Sequence, residues 1–227
     1  QQSTIRYGSP DSYMRSSQYG VFVQDEWRVR SNLTFNLGLR WDDWEPATEK
    51  YGRLSNLDIA PGLTGAAVVT PGSTGPYSGA VPNGLIQPDR NNFSPRIGVS
   101  YRPFKKKRTI LRAGYSLFYD SSVYNRIPSR LVSQPPFATS ATFNTSTDLP
   151  LVITNPFVGP LDTTITNSYA VNPAYRVPYA STWSASIQHE YKGYAFNIGY
   201  VGTKGTRLVE QRIPNRAAPG STLTSED

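Results

Sequence analysis

Apolar and polar residues alternate with a period of two over most of the strongly patterned sequence, and that period is the tightest constraint on the fold. Leu33, Phe35, Leu37, Leu39 and Trp41 alternate with Thr34, Asn36, Gly38, Arg40 and Asp42. The same pattern recurs at Ile97, Val99 and Tyr101, at Leu111, Ala113, Tyr115, Leu117 and Tyr119, at Trp183, Ala185 and Ile187, and at Phe196, Ile198 and Tyr200. Tyr19–Val29 is less regular, because Val21, Phe22 and Val23 are consecutive, but it reads as a strand too. Six strands are expected, over 18–29, 32–44, 95–103, 108–120, 181–191 and 194–203. A helix would need a period of 3.6, which these segments lack.

The connections between these strands are of two kinds. Arg30–Ser31, Phe104–Lys107 and Lys192–Gly193 are short and predict three hairpins. The stretches 45–94 and 121–180 are long and dense in Pro, Gly, Ser, Thr and Asn, as in Thr70–Pro–Gly–Ser–Thr–Gly–Pro76. Structureless loops of that length count against a compact soluble domain. An outer-membrane barrel has short turns on one side and long loops on the other as a matter of course. The placement of aromatics agrees. Trp27, Trp41, Trp44, Tyr101, Tyr119, Trp183, Tyr191 and Tyr200 sit towards strand ends, where two interfacial girdles belong. The opposite faces carry Asn36, Arg40, Arg96, Ser100, Arg112, Ser184, Ser186 and Gln188, which a wet lumen accommodates and an apolar core does not. The expected fold class is therefore all-β: an antiparallel up-and-down transmembrane β-barrel segment, incomplete at six strands, with residues 1–227 forming part of one barrel domain. The competing expectation is a soluble β-sandwich binding module. It requires the apolar faces of 33–41 and 111–119 to bury each other.

Several function classes are excluded or disfavoured. The chain has no Cys and one His, so disulfides, zinc–thiolate sites and multi-histidine relays are excluded. No catalytic residue, metal site or cofactor is expected, and the chain is not read as an enzyme. Asp42, Asp43 and Glu45, and Asp25–Glu26, read as polar rim residues rather than an acid–base or calcium site, and His189 beside Glu190 reads as interfacial. The formal charge is +7, and Lys105–Lys–Lys–Arg108 is its densest cluster. It lies in a short turn without aromatic stacking partners, so a solvated turn beside lipid headgroups is expected and no nucleic-acid partner.

Six segments resemble a known family. Tyr19–Gly–Val–Phe–Val–Gln–Asp–Glu–Trp27 and Leu33–Thr–Phe–Asn–Leu–Gly–Leu–Arg–Trp41 resemble a hairpin of TonB-dependent outer-membrane receptors. Phe93–Ser–Pro–Arg–Ile–Gly98 with Tyr101–Arg–Pro–Phe104, then Thr109–Ile–Leu–Arg–Ala–Gly–Tyr–Ser–Leu–Phe–Tyr–Asp120, resemble its following strands. Trp183–Ser–Ala–Ser–Ile–Gln–His–Glu190 and Gly199–Tyr–Val–Gly–Thr–Lys–Gly–Thr–Arg–Leu208 resemble a later hairpin, closest to the Oar-like branch. The resemblance implies a barrel of about 22 strands around a plug, of which this chain would be a middle-to-later stretch. It implies a bacterial outer-membrane location with cell-surface loops and import or export of a scarce or large substrate. It also implies partners: outer-membrane lipid, the remainder of the barrel and its plug, and the TonB energy-coupling machinery. Open strand edges allow self-association, and a self-assembling structural or adhesive β protein is the alternative. The expected substrate contacts are the loop aromatics Trp44, Tyr51, Tyr77, Tyr124, Phe137, Phe143, Phe157 and Tyr169.

Overall fold

The fold is taken from a computed structural model, which describes residues 2–8, 11–104, 108–144, 154 and 168–212. In chain order the strands are β1 (Gln2–Gly8), β2 (Met14–Arg15), β3 (Gln18–Arg30), β4 (Leu33–Trp44), β5 (Thr48–Glu49), β6 (Asn56–Ile59), β7 (Ala66–Val69), β8 (Thr74–Gly75), β9 (Gly79–Ala80), β10 (Asp89–Tyr101), β11 (Arg108–Tyr119), β12 (Ala138–Asn144), β13 (Tyr179–Tyr191) and β14 (Tyr194–Thr206). One helix, α1 (Val123–Leu131), lies between β11 and β12.

Six of these strands form a single antiparallel sheet in the order β14–β13–β11–β10–β4–β3. Each pairs with its neighbour along the chain, as expected from the alternation. The sheet is open between β3 and β14 among the described residues. Residues 105–107 of the expected basic turn lie outside the described residues, while Arg108 opens β11 and pairs with Glu190 across to β13. At this turn end, Arg102 N–H donates to the Asn32 carbonyl (2.8 Å) and Asn32 Nδ2 donates to the Arg102 carbonyl (3.0 Å), tying two neighbouring connections together.

The register puts every alternating apolar residue on one face. Tyr200, Ala185, Ala113, Val99, Phe35 and Trp27 form one continuous cross-strand row. The neighbouring row on the other face, read outward from β10, includes Asn36, Gly98, Gly114 and Ser184. The apolar faces of 33–41 and 111–119 therefore lie side by side, separated by β10, and do not pack against each other. The β-sandwich expectation is corrected on this point.

The core lies elsewhere. Leu54, Val69, Val81, Leu85, Ile86, Ile127 and Leu131 form the buried apolar cluster, with Met14, Val132, Val171 and Tyr175 packed on it. None of the buried apolar residues among those described belongs to the six-stranded sheet, whereas Val21, Val23, Trp27, Phe93, Ile97, Ile187 and Ile198 are exposed. A water-soluble sheet buries one face against protein. This sheet has its whole apolar face uncovered and its polar face lined with Arg, Ser, Thr, Gln and Gly, the inverse of a soluble barrel and the pattern of a membrane wall.

Strand tilt follows from the same register. The turn-side aromatic margin moves from Tyr194 on β14 to Trp27 on β3, a shift of six residues against the hydrogen-bonded rows over five strand steps. With about 3.3 Å per residue and about 4.8 Å between strands, the tangent of the tilt is about 0.8, or roughly 40°. On the loop side Tyr179 faces Tyr119 and Phe93 faces Trp41 directly, so that margin follows the hydrogen-bonded rows over the middle strands. Transmembrane barrel strands tilt by about 35–45°.

Both long connections contain more structure than the sequence implies. β10 starts at Asp89 rather than 95, with a bulge between Asp89 and Asn92 opposite β4. The β10–β11 ladder begins only at Arg96, just after Pro95, which has no N–H to donate. The 45–94 stretch carries β5 to β9, and the 121–180 stretch carries α1 and β12, which pairs with β1.

Candidate functional site

The two long connections fold together into one cap at the loop end of the sheet. Its seam is built from polar side chains that substitute for missing backbone partners. Asn56 is 1% exposed. Its Nδ2 donates to the Val171 carbonyl and its Oδ1 accepts the Val171 N–H, both at 2.8 Å, so one amide side chain pairs like a strand residue. Gln134, also buried, donates to the Ser55 carbonyl (2.6 Å) and accepts the Tyr169 N–H (2.7 Å). Ser55 closes the seam on the far side, where its N–H reaches the Leu131 carbonyl (3.1 Å) and its hydroxyl the Pro135 carbonyl (2.7 Å).

Buried carboxylates anchor the cap. Asp89, at the start of β10, accepts Arg176 Nη1 (2.8 Å) and the Val177 N–H (3.0 Å), fixing the chain just before β13. Glu49 accepts the N–H groups of Tyr13 (3.1 Å), Tyr51 (2.7 Å) and Arg53 (3.0 Å), together with Arg53 Nη2 (3.3 Å). Burial alone would raise the Glu49 carboxyl, but these donors outweigh it and bring it down to about 2. Asp58 is held below the ordinary carboxylate range in the same way: burial opposes, and the N–H groups of Tyr77 (2.8 Å) and Ser78 (3.0 Å) prevail.

The cap sorts the sequence-predicted contact residues into two groups. Tyr51 and Tyr77 present rings to solvent, Tyr51 at 57% exposure. The other described candidates pack. Tyr124 and Phe143 are buried and cannot meet a ligand as they stand, a correction to the expectation for both. Tyr124 stacks edge-on against Tyr175 at 6.2 Å, and burial, aided by the negative charge of Asp89, pushes its hydroxyl up to about 12. Trp44 is half-buried, 6.4 Å from the ring of Tyr119. Phe137 is half-buried. Tyr169, also half-buried, lies beneath the Arg130 guanidinium at 4.7 Å. Phe157 lies outside the described residues. The burial of Tyr124 had a sequence signal: Tyr124, Ile127 and Leu131 are spaced by three and four, the stripe of a short amphipathic helix.

Two residues that sequence reasoning missed complete an exposed aromatic cluster of the cap. Tyr13 meets the Tyr51 ring edge-on at 5.8 Å, and Lys50 Nζ lies 5.6 Å from the Tyr13 ring and 4.9 Å from the Tyr51 ring. The polar rim residues make pairs. Arg40 forks onto Asp42 (2.6 and 2.7 Å), and Arg90 reaches both Glu45 (2.7 Å) and Asp43 (3.6 Å). His189 Nδ1 meets Thr109 Oγ1 (2.8 Å), whereas the adjacent Glu190 pairs with Arg108; neighbouring strand residues point to opposite faces, so the two do not form a relay.

An uncovered apolar face, a polar opposite face, aromatic margins and a structured cap at one end define the wall of a membrane β-barrel. The chain belongs to the family described as "Outer membrane beta barrel domain", which matches residues 1–227. That membership assigns it to the bacterial outer membrane. No curated protein and no solved structure matches the chain.

Proposed function

We propose that this chain is barrel wall and external-loop structure of a TonB-dependent outer-membrane receptor of the Oar-like branch. The intact receptor moves a scarce or large substrate across the outer membrane, inward or outward, and catalyses no reaction. The observation that carries this reading is the order of the motifs. The Tyr19–Trp27 and Leu33–Trp41 segments form the hairpin β3–β4. Phe93–Gly98, Thr109–Tyr119, Trp183–Glu190 and Gly199–Thr206 follow on β10, β11, β13 and β14, in the chain order the resemblance requires. The stitched cap supports it as well, because a rigid loop unit presents contacts at lower entropic cost than two free loops. Outer-membrane lipid, the remaining barrel, its plug and the TonB machinery are the partners in this reading. Tyr51 and Tyr77 are the candidate contacts that remain available to a ligand.

The test is the size and membrane fraction of the native polypeptide containing this sequence. An outer-membrane product several times longer than 227 residues, whose substrate accumulation stops when the inner-membrane proton gradient is dissipated, is the expected result. A 25.1 kDa product that is soluble or polymeric overturns the proposal and favours assembly through the open edges of β3 and β14.

A further inference from the structure

The apolar face of the wall is free of formal charge along its four inner strands. Its outward residues over 33–41 of β4, 93–101 of β10, 109–119 of β11 and 179–191 of β13 include no Asp, Glu, Lys or Arg. The two strands with open edges differ. On β14, Lys204 stands four residues beyond Tyr200, near the loop end, where its long side chain reaches outward to water. On β3 the exception is Asp25, which lies within the apolar band.

The register fixes the direction of Asp25. It pairs with Leu37 and continues the row of Ile97, Tyr115 and Trp183 on the apolar face. Its sequence neighbour Glu26 takes the polar face, with Arg28 at 4.0 Å. Asp25 is therefore not the rim residue that the sequence suggests. It stands two residues inside Trp27 and six from Tyr19 on the same face. With about 3.3 Å per residue and a tilt of roughly 40°, it lies about 5 Å inside the turn-side margin and about 15 Å from the loop-side one. Asp25 is exposed and has no ion-pair partner among the described residues. Arg30, the next cation on that side of β3, is five residues away past a bulge, or about 16 Å. An aspartate is too short to reach the headgroups as Lys or Arg does.

The same strand leaves one edge of backbone groups unpaired among the described residues. Within hydrocarbon such an edge requires another strand. A residue of that strand directly opposite Asp25 brings its Cβ to about 4.5–5.5 Å, and a diagonal one to about 7–8 Å. Lipid tails carry no charge at this depth, so the counter-charge belongs to protein, and the free edge is where protein arrives.

We infer that the strand paired with the free edge of β3 in the intact barrel presents a lysine or arginine outward beside Asp25, forming a cross-strand ion pair within the apolar band. Taking that strand from the same polypeptide rests on the receptor reading. The pair pins the register of this seam, because a slip of one residue would turn the cation to the other face.

The test uses the full-length protein folded in lipid vesicles and reads its urea unfolding equilibrium. Asp25→Leu is made, and each outward Lys or Arg of the strand next to β3 is changed to Gln with and without Asp25→Leu. Asp25→Leu should destabilise the barrel by about tenfold, because it leaves a cation unpaired inside the band. One of the Gln changes should destabilise when Asp25 is present and restore stability when it is Leu. Asp25→Glu should keep most of the wild-type stability. Where Asp25→Leu does not fold, recovery of folding by that second change is the same readout. A more stable Asp25→Leu barrel, the result for a carboxylate facing lipid alone, overturns the inference and leaves the receptor reading standing. So does the absence of any cation whose effect depends on Asp25. Coupling of Asp25 to Lys204→Gln instead makes the neighbour β14 of a second copy, and overturns the inference together with the receptor reading.

Discussion

Replacing Asn56 by Leu tests whether the two long connections are one cooperative unit. The substitution keeps the approximate volume and removes both hydrogen bonds to Val171, each 2.8 Å long. Each neutral hydrogen bond contributes about 1 kcal/mol net, and an orphaned, partly buried backbone N–H or C=O costs a further 1 kcal/mol or so. The seam between Asn56 and Val171 should therefore weaken by about 3–4 kcal/mol, or roughly two to three powers of ten in its opening equilibrium. The assay is hydrogen exchange of the full-length protein in its membrane. Protection of the Tyr169 and Val171 amides, which donate to Gln134 and Asn56, should fall by that factor. Amides in the middle of β11 and β13, paired only within the wall, should not change. Unchanged protection at 169–171, or a uniform loss across the wall, would refute the account of the cap as a separately stitched unit.

Acid should loosen the same cap. The Glu49 carboxyl titrates at about 2 in the folded protein against an ordinary 4.5; being lowered, it stabilises above pH 4.5 and loses that contribution as the pH falls towards 2. Protease resistance of the 45–94 region, followed from pH 6 to pH 2, should fall in that window, and Glu49→Gln should flatten the dependence while lowering resistance at pH 6. At Gly202, an added Cβ would meet the Trp183 indole at 2.5 Å, so Gly202→Val should displace that ring at a cost of about 1–3 kcal/mol, visible as a shift in tryptophan emission; unchanged emission counts against the packing. Ala113→Arg, in the middle of the apolar row, should cost about 2–4 kcal/mol in urea unfolding from lipid vesicles, whereas Thr206→Arg, at the loop-side aromatic margin opposite Tyr179, should cost at most about 1. Equal costs would contradict the assignment of that face to lipid.

The wall was legible because its determinants are local. Period-two alternation needs only adjacent residues, and the three hairpins needed only short gaps between alternating runs. The cap was not legible, for the opposite reason. Its core residues Leu54, Val69, Val81, Leu85 and Ile86 are isolated among Pro, Gly and Ser and follow no period. Asn56 and Val171 are 115 residues apart in sequence, and nothing near either one announces the other. The early part of β10 was missed because Asp89, Arg90, Asn91 and Asn92 read as loop and become strand only against Trp44 and Asp42 of β4. The choice of contact aromatics fared unevenly because exposure is a tertiary property. Tyr124 shares a helical stripe with Ile127 and Leu131 that Tyr51 lacks, but only the packing of α1, with Tyr124 against Tyr175, turns that stripe into burial.

The row Tyr200–Ala185–Ala113–Val99–Phe35–Trp27 joins the local and tertiary levels. Hydrogen bonding alone would make its six residues equivalent, since each is directly opposite the next. Their chemistry is not equivalent: the ends are aromatic and the middle is aliphatic or small. Tyr200 stands six residues before the loop end of β14 at Thr206, while Trp27 stands three residues before the turn end of β3 at Arg30. A sheet packed against protein has no reason to move the turn-side end of its apolar segment by six residues between β14 and β3. A flat apolar slab crossed by tilted strands requires that slide. The slab's margins then fall where the aromatics are. Tilt and aromatic margins are thus two consequences of a single geometric relation between the register and the bilayer.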